Sequence, residues 1–373
     1  MSRLAVDATA IRTLASGTGR RLVSLLGAAP EAFASRGDWL VLAAPETAEE
    51  IARRLPFVEV RVHDSPRSAL ARALHGGRRL RAALGDRDLV LQDPRPYADP
   101  ARTLPCVHDL RQLEPSGEAS LARRLWMRRR FPAVLRTCPL VTTVSEHVRG
   151  ELVALSGRPA EEILVVPNGV VVEDFAGSDV AALGPLGLEP RGYLLAVGHR
   201  EPRKNLGFLS ELAALDRERG GRRLLVHAGA PRPGFDEPER LAAERGVADR
   251  VRWLGAVDEA TLRALYRGAE AFLMPSHVEG FGVPLLEAMA AGVPVLAAAR
   301  PPFDEIVAAG DLWPLDRPGA WLDRLDALAG DAGARESAVA RGRERAAEFT
   351  WSRAAERQLR AIDRALEVLA TRR

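Results

Sequence analysis

Short apolar runs rich in β-branched residues and leucine recur through this chain, separated by Ala/Leu/Arg stretches of helical period, and the recurrence halts once and then resumes. LAVDA, Leu22 to Phe33, WLVLAA and a helix through Leu55 open the series, and DLVLQ, LPCVHDL, PLVTTVS and ILVVPNGV continue it. Strand-length runs alternating with helix-length runs predict βα units and a mainly parallel sheet. The pause falls in a stretch containing Gly, Pro and Asp, Glu173 to Gly192, with the linker expected near Pro167 to Pro190. The series restarts at Tyr193 with YLLAVG, RRLLVHAG, VRWLGAV, EAFLMPS and VPVLAA, and Trp351 to Leu369 has helical period with little turn chemistry. The expectation is an α/β chain: a Rossmann-like domain over 1–172, a second over 173–350, and a final helix over 351–373. Open parallel sheets hold ligands beyond the carboxyl ends of their strands, so two facing domains would put the active site in the cleft between them.

Length fits that division, because 373 residues are too many for one ordinary α/β core. At 47% hydrophobic and 28% charged residues, disorder is not a serious reading. The start, MSRLAVDATA, has no extended apolar core behind a basic segment, so a secretory signal is not expected. Ala288 to Ala299 is the longest nearly apolar run, but Gly292 and Pro294 interrupt it and it is too short to span a bilayer. The expected location is the cytoplasm or the inner face of the membrane, with any membrane contact peripheral. Cys106 and Cys138 lie in apolar, strand-like stretches and suit buried thiols in a reducing compartment. A formal charge of +3 is a weak signal at this size, and no metal cluster of Cys and His is present in the sequence.

Chemistry is therefore sought just after strands. After EAFLMPS the chain reads HVEGFGVPLLEAMAAGVPVLAA, in which Gly280 and Gly282 bracket Phe281 and Pro284 suits the first helical position. The N-terminus of that helix offers backbone N–H groups to an anion, approached closely because Gly282 has no side chain, which suits a diphosphate. Glu279 precedes the loop, where it could accept hydrogen bonds from hexose hydroxyls; Glu287 lies about one turn into the helix and could hold both hydroxyls of a ribose. Taken singly, Glu287 could instead complement the helix dipole, Glu279 be a solvated loop residue and the glycines serve a tight turn.

The E-x7-E pattern in EGFGVPLLEAMAAGVPV closely resembles the donor-site signature of retaining glycosyltransferases of family 4, which have the GT-B fold. VTTVSEHVRGEL, ILVVPNGV, YLLAVGHREPRKNL and VRWLGAVDEATLRALYRGAEAFLMPS resemble successive blocks of that family in order, over most of Val141 to Val307; SGTGRRL at Ser16 and CVHDL at Cys106 match more loosely. The resemblance implies two facing Rossmann-like domains, with the last helix packing back toward the first. It implies that Glu279 contacts the donor sugar, Glu287 the ribose, and the amides around Gly282 and Val283 the distal phosphate. Arg203 and Lys204 match a basic pair that would neutralise charge building on the leaving diphosphate. Where many members have arginine directly after the strand glycine, this chain has His199 and then Arg200. His108, at the end of LPCVH, would reach the sugar's hydroxymethyl group, although a lone histidine at a strand end is often structural.

Gly17 and Gly19 in SGTGRR could let backbone approach the phosphates or the acceptor, but Leu22 occupies the third position of a dinucleotide fingerprint, which weakens a dehydrogenase reading. No paired carboxylates stand out as nucleophile and acid, and the resemblance implies that none is needed, the leaving phosphate taking the acceptor proton. No cofactor and no metal are expected; a nucleotide diphosphate sugar is the co-substrate, with GDP-mannose the leading guess from the TVSE, EPRKN and EGFG blocks. The acceptor, a glycan, lipid-linked or small molecule, falls to the N-terminal domain. There LARRLWMRRRFPAVLR, Leu121 to Arg136, is either a basic surface for anionic lipid or a solvated helix face, with Pro132 limiting the helix. Nucleic acid is not expected. The alternative of another class is a catalytically silent nucleotide-sugar binding protein on the same fold.

Overall fold

In the computed structural model, the structure describes residues 1–64, 77–92, 99–113, 121–177 and 179–372. Two units divide the chain, one formed by 1–169 with 351–373 and the other by 170–350. The first holds a parallel sheet of β1 (Ser2–Ala8), β2 (Gly37–Ala43), β3 (Glu59–Val62), β4 (Leu89–Gln92), β5 (Thr103–Val107), β6 (Val141–Thr143) and β7 (Ile163–Val165). Their spatial order is β3-β2-β1-β4-β5-β6-β7. The second unit holds β8 (Tyr193–Val197), β9 (Leu224–Ala228), β10 (Val251–Gly255), β11 (Ala271–Met274), β12 (Val295–Ala298) and β13 (Leu312–Trp313), in the order β10-β9-β8-β11-β12-β13. Every registered pair in both sheets is parallel.

Each sheet reverses its winding once, between β1 and β4 and between β8 and β11, so the crossovers on either side diverge and leave a crevice at the strands' carboxyl ends. The central strands are buried on both faces: all five last residues of β1 and of β2 are buried, as are all of β11 and β12. In the second unit Leu194, Leu225, Leu273 and Leu296 pack with Phe208, Leu212 and Trp321 from the flanking helices.

The helix Trp351–Thr371 belongs to the first unit. It buries Ala354, Leu359, Ile362 and Ala365 in the cluster that holds Leu4, Leu26 and Phe33, and Asp363 pairs with Arg36 at 3.2 Å. This is the packing back toward the N-terminal domain that the resemblance implied.

Several local expectations change. Leu22 to Phe33 is two helices, Gly17–Gly27 and Pro30–Ala34, because Pro30 starts the second and cannot continue the first. β3 was not expected: EVRV is a largely exposed edge strand with no apolar run to betray it. Pro132 does not limit its helix, which runs Leu121–Thr137, and the proline sits inside it. Cys138 therefore follows a helix rather than lying in a strand, where burial pushes its thiol up to about 12. Arg128, Arg129 and Arg130 are exposed on that helix and Leu125 is half exposed, while the side chains of Arg123 and Trp126 lie outside the described residues.

Candidate active site

The two neighbouring strands at the winding reversal of the second sheet, β8 and β11, each open into a loop that carries charged residues. After β8, Gly198 turns at φ +143, and the short turn Pro202–Lys204 is closed by Asn205 in the left-handed region at φ +52. After β11 the chain passes through Pro275 to Gly282. Backbone and side chain stitch the loops together: the His277 N–H donates to the Arg203 carbonyl at 2.7 Å, Asn205 Nδ2 to the Pro275 carbonyl at 3.1 Å, and Arg203 Nη1 to the Val278 carbonyl at 3.3 Å.

At this seam the structure brings three of the expected catalytic residues into contact. Arg203 Nη1 lies 2.6 Å from Glu279 Oε2, and Lys204 Nζ lies 2.5 Å from Glu279 Oε1. Burial alone would push the Glu279 carboxyl up, but Lys204 and Arg203 outweigh it and hold it below the usual range. Gly198 makes room for the ammonium, since a Cβ there would stand 2.9 Å from Lys204 Cε. A fourth residue, Glu201, accepts from Arg203 Nε at 2.6 Å.

Three residues on, Gly282 caps the helix Val283–Ala290 at φ +133, with Val283 first in the helix and Pro284 second. A Cβ at Gly282 would meet Ile306 Cδ1 at 3.1 Å, a contact that the end of that side chain can relieve, so it is the backbone conformation at φ +133 that requires glycine. N–H groups of a first helical turn have no partner within the helix, and a helix start at the end of β11 therefore presents donors and the positive end of the dipole to an anion. Phe281 turns the other way: its ring is buried against Phe349, centroids 5.8 Å apart, so a ligand could use only its backbone. Glu287 is buried one turn inside, where the Tyr266 hydroxyl donates to its Oε2 at 2.7 Å; that ring packs edge-on to Phe175 and tilted against Phe272. Gly280 lies half-buried between Glu279 and Phe281.

Within the second unit, Arg200 does not join this cluster. His199 is exposed, and the Arg200 guanidinium pairs with Glu239 and lies 5.2 Å over the Trp253 ring instead of joining Glu279. Under it His227 is fully buried, and burial together with Arg200 pushes its imidazole down to about 3. In the first unit, His108 follows β5 and lines a pocket of about 70 Å³ with Asp7, Thr18, Arg21 and Cys106. Ser16 caps the helix Gly17–Gly27 by accepting from the Gly19 N–H. Gly19 is needed for packing, because a Cβ would fall 2.5 Å from the Thr13 carbonyl, whereas Gly17 faces open space. Arg21 is buried and holds Asn168 Oδ1 at 2.8 Å and the Val166 carbonyl at 3.0 Å.

Sequence reasoning overlooked Glu201, Tyr266 and Gly198, although each lies in a block it had singled out. It also overlooked the sharpest signal in the composition: among 53 lysines and arginines, Lys204 is the one lysine. Among the described residues no group of His, Cys, Asp and Glu is placed to hold a metal, and no helix is long and apolar enough to cross a membrane.

Two winding-reversed parallel sheets, with paired cations and a helix start at the reversal point of the second, are the doubly wound architecture that the sequence resemblance implied. Residues 17–174 match the family described as Glycosyltransferase Family 4, and residues 186–345 match Glycosyl transferases group 1. The chain is 31% identical over 289 residues to O-antigen chain mannosyltransferase B of Escherichia coli, covering 75% of either chain. It is 32% identical over 282 residues to D-inositol 3-phosphate glycosyltransferase of Nocardia farcinica, covering 73% of this chain and 62% of that relative. Solved structures share the fold. HepE of Anabaena in complex with UDP and glucose superposes with a TM-score of 0.76 at 17% identity, over 97% of this chain and 99% of its own. WaaG, a glycosyltransferase involved in lipopolysaccharide biosynthesis, does so with 0.71 at 17% identity, over 95% and 98%. The chain belongs to glycosyltransferase family 4.

Proposed function

We propose that this glycosyltransferase is a retaining hexosyltransferase that uses a nucleotide diphosphate sugar, with GDP-mannose the leading donor, and passes the hexose to a glycan, lipid-linked or small-molecule acceptor. The observation that carries this reading is the meeting of Arg203, Lys204 and Glu279 beside the helix start at Gly282, at the winding reversal of one sheet. The amides around Gly282 and Val283 take the distal phosphate, Glu287 takes the ribose hydroxyls and Glu279 the hexose hydroxyls. For His108 the partner is the hexose hydroxymethyl group.

Transfer breaks the bond between the anomeric carbon and the phosphate oxygen and forms a new one to the acceptor oxygen on the same face, and the leaving phosphate takes the acceptor proton. Charge grows on the diphosphate as the bond breaks, so fixed cations and amides beside it stabilise the transition state more than the bound substrate. They replace a metal ion, and the reaction is metal-independent. The mannosyl reading draws on the TVSE, EPRKN and EGFG blocks and is supported by the name of the E. coli relative, while the structural neighbour in complex with UDP and glucose makes UDP-sugars the competing donor class. The exposed arginines of the helix Leu121–Thr137 favour peripheral contact with an anionic membrane surface.

Thermal-shift screening against GDP, UDP, ADP and dTDP sugars tests the donor, because a ligand at 100 times its dissociation constant adds roughly 2.7 kcal/mol. GDP-mannose is expected to stabilise most, with transfer unchanged by chelator and the α-linkage of the donor kept in the product by NMR. Inversion at the anomeric carbon, or loss of transfer in chelator, would sink the mechanism. Binding without hydrolysis or transfer to any acceptor would favour a silent binder. Glu279→Ala is expected to lower turnover on the order of 10²-fold, the scale of losing one aligned polar contact in a transition state.

A further inference from the structure

The cations that the preceding reading gives to the diphosphate are paired within the protein itself, and the group that pairs with both is the carboxylate that the same reading gives to the sugar. Glu279 places one oxygen 2.5 Å from Lys204 Nζ and the other 2.6 Å from Arg203 Nη1, with side-chain exposures of only 10%, 9% and 20% for the three. Arg203 has a second carboxylate in Glu201 at 2.6 Å. Two cations and two carboxylates thus alternate along one short chain. The ammonium is specific to this place: a chain with a single lysine puts it here, lying over a glycine that has no Cβ to collide with it.

A diphosphate that reaches Lys204 competes with Glu279, because two anions sharing one partly buried cation repel each other. Its entry favours a change of partners by Glu279. When the intact donor binds, hexose hydroxyls replace the cations as hydrogen-bond donors to the freed carboxylate. When the spent nucleoside diphosphate binds, nothing replaces them, and a buried carboxylate stripped of its partners is costly.

Resting on the donor reading above, we propose that Glu279 is a built-in counter-ion that competes with the diphosphate, and that its exchange of partners makes the site prefer the intact donor to the spent nucleotide. Product release is then favoured by the return of the carboxylate to Lys204 and Arg203.

The test is calorimetric titration of wild type and Glu279→Gln with a nucleoside diphosphate, its hexose derivative and inorganic pyrophosphate, with Glu279→Asp as the variant that keeps the charge. Glu279→Gln is expected to bind the nucleoside diphosphate and pyrophosphate about tenfold more tightly than wild type, or ~1.4 kcal/mol. It should show no gain for the intact donor, so the preference for donor over product collapses, and Glu279→Asp should show no gain for either anion. An unchanged or weakened nucleoside diphosphate affinity in a folded Glu279→Gln protein overturns the counter-ion role while leaving the donor site standing. Wild type that binds none of these ligands overturns the donor reading and this proposal with it. Should Glu279→Gln not fold, wild type decides: with one lysine, protein labelled with ¹³C-lysine gives one ε-methylene signal, which must move when pyrophosphate or nucleoside diphosphate binds. A signal that stays in place while either ligand is bound means that Lys204 kept its partner, and the proposal fails.

Discussion

At the scale of single residues, the arrangement around Glu287 separates holding a ligand from holding the residue that holds it. The Tyr266 hydroxyl donates to Glu287 Oε2 at 2.7 Å, and its ring is fixed between Phe175 and Phe272 with no exposure to water. A hydrogen bond to a charged group contributes roughly 1.5–3 kcal/mol, and it also removes one of the orientations the carboxylate would otherwise sample. Tyr266→Phe is therefore expected to lower stability by about 1–3 kcal/mol and to weaken nucleoside diphosphate binding about three- to tenfold, raising KM for the donor with little change in kcat. Uniform binding lost from ground and transition state alike produces that split. Calorimetry and steady-state kinetics on the variant check it; a fall in Tm with the nucleotide dissociation constant unchanged would reduce the tyrosine to packing. Sequence alone made Glu287 legible, because its spacing from Glu279 is a pattern along the chain. Tyr266 was not legible, because it is 21 residues away and meets Glu287 only when the strand β11 places two helices side by side.

At the scale of elements, the central strands were the most legible part of the molecule, and two of the four edge strands, β3 and β13, the least. β8, β9, β11 and β12 announce themselves as apolar runs because parallel strands in the middle of a sheet are covered on both faces. β3 and β13 do not, since an edge strand needs only one paired side and tolerates charge. The glycines show the same division. Gly282 was legible as the residue that opens a helix, and its φ of +133 explains why no other residue suits the place. Gly19 suggested an approach to ligand, and the structure adds a packing demand on it that no pattern along the chain shows, the collision a Cβ would make with the Thr13 carbonyl. Gly282→Ala is accordingly expected to destabilise the second unit by roughly 1–3 kcal/mol, the cost of a backbone region that side chains avoid. It should also weaken pyrophosphate binding, by tilting the first turn of the helix away from the anion. Denaturant unfolding and pyrophosphate titration read the two effects separately. Full pyrophosphate affinity in a destabilised variant would mean that the helix start is not the anion's seat.

At the scale of the whole molecule, the chain leaves the first unit, builds the second and comes back, so the second unit is an insertion whose two ends meet. The Val170 N–H donates to the Phe349 carbonyl at 2.8 Å, and every residue of the charged seam, from Gly198 to Glu287, falls between those two positions. The first unit, by contrast, is incomplete without the returning helix Trp351–Thr371, whose Leu359 and Ile362 sit in the same cluster as Leu4 and Leu26. Burying a leucine or isoleucine contributes about 1.5–3 kcal/mol each, so losing this helix removes a large part of the 5–15 kcal/mol that typically holds a domain folded. A chain ending at Thr350 is therefore expected to lose the unfolding transition of the first unit while the second keeps its own. Because the seam lies wholly in the second unit, that remaining transition should still rise in the presence of nucleoside diphosphate, although transfer is abolished. Calorimetric melting of the shortened chain, with and without the nucleotide, distinguishes the outcomes. If the nucleotide no longer raises any transition, donor binding needs groups of the first unit, and the pocket at His108 and Arg21 becomes the place to look for them.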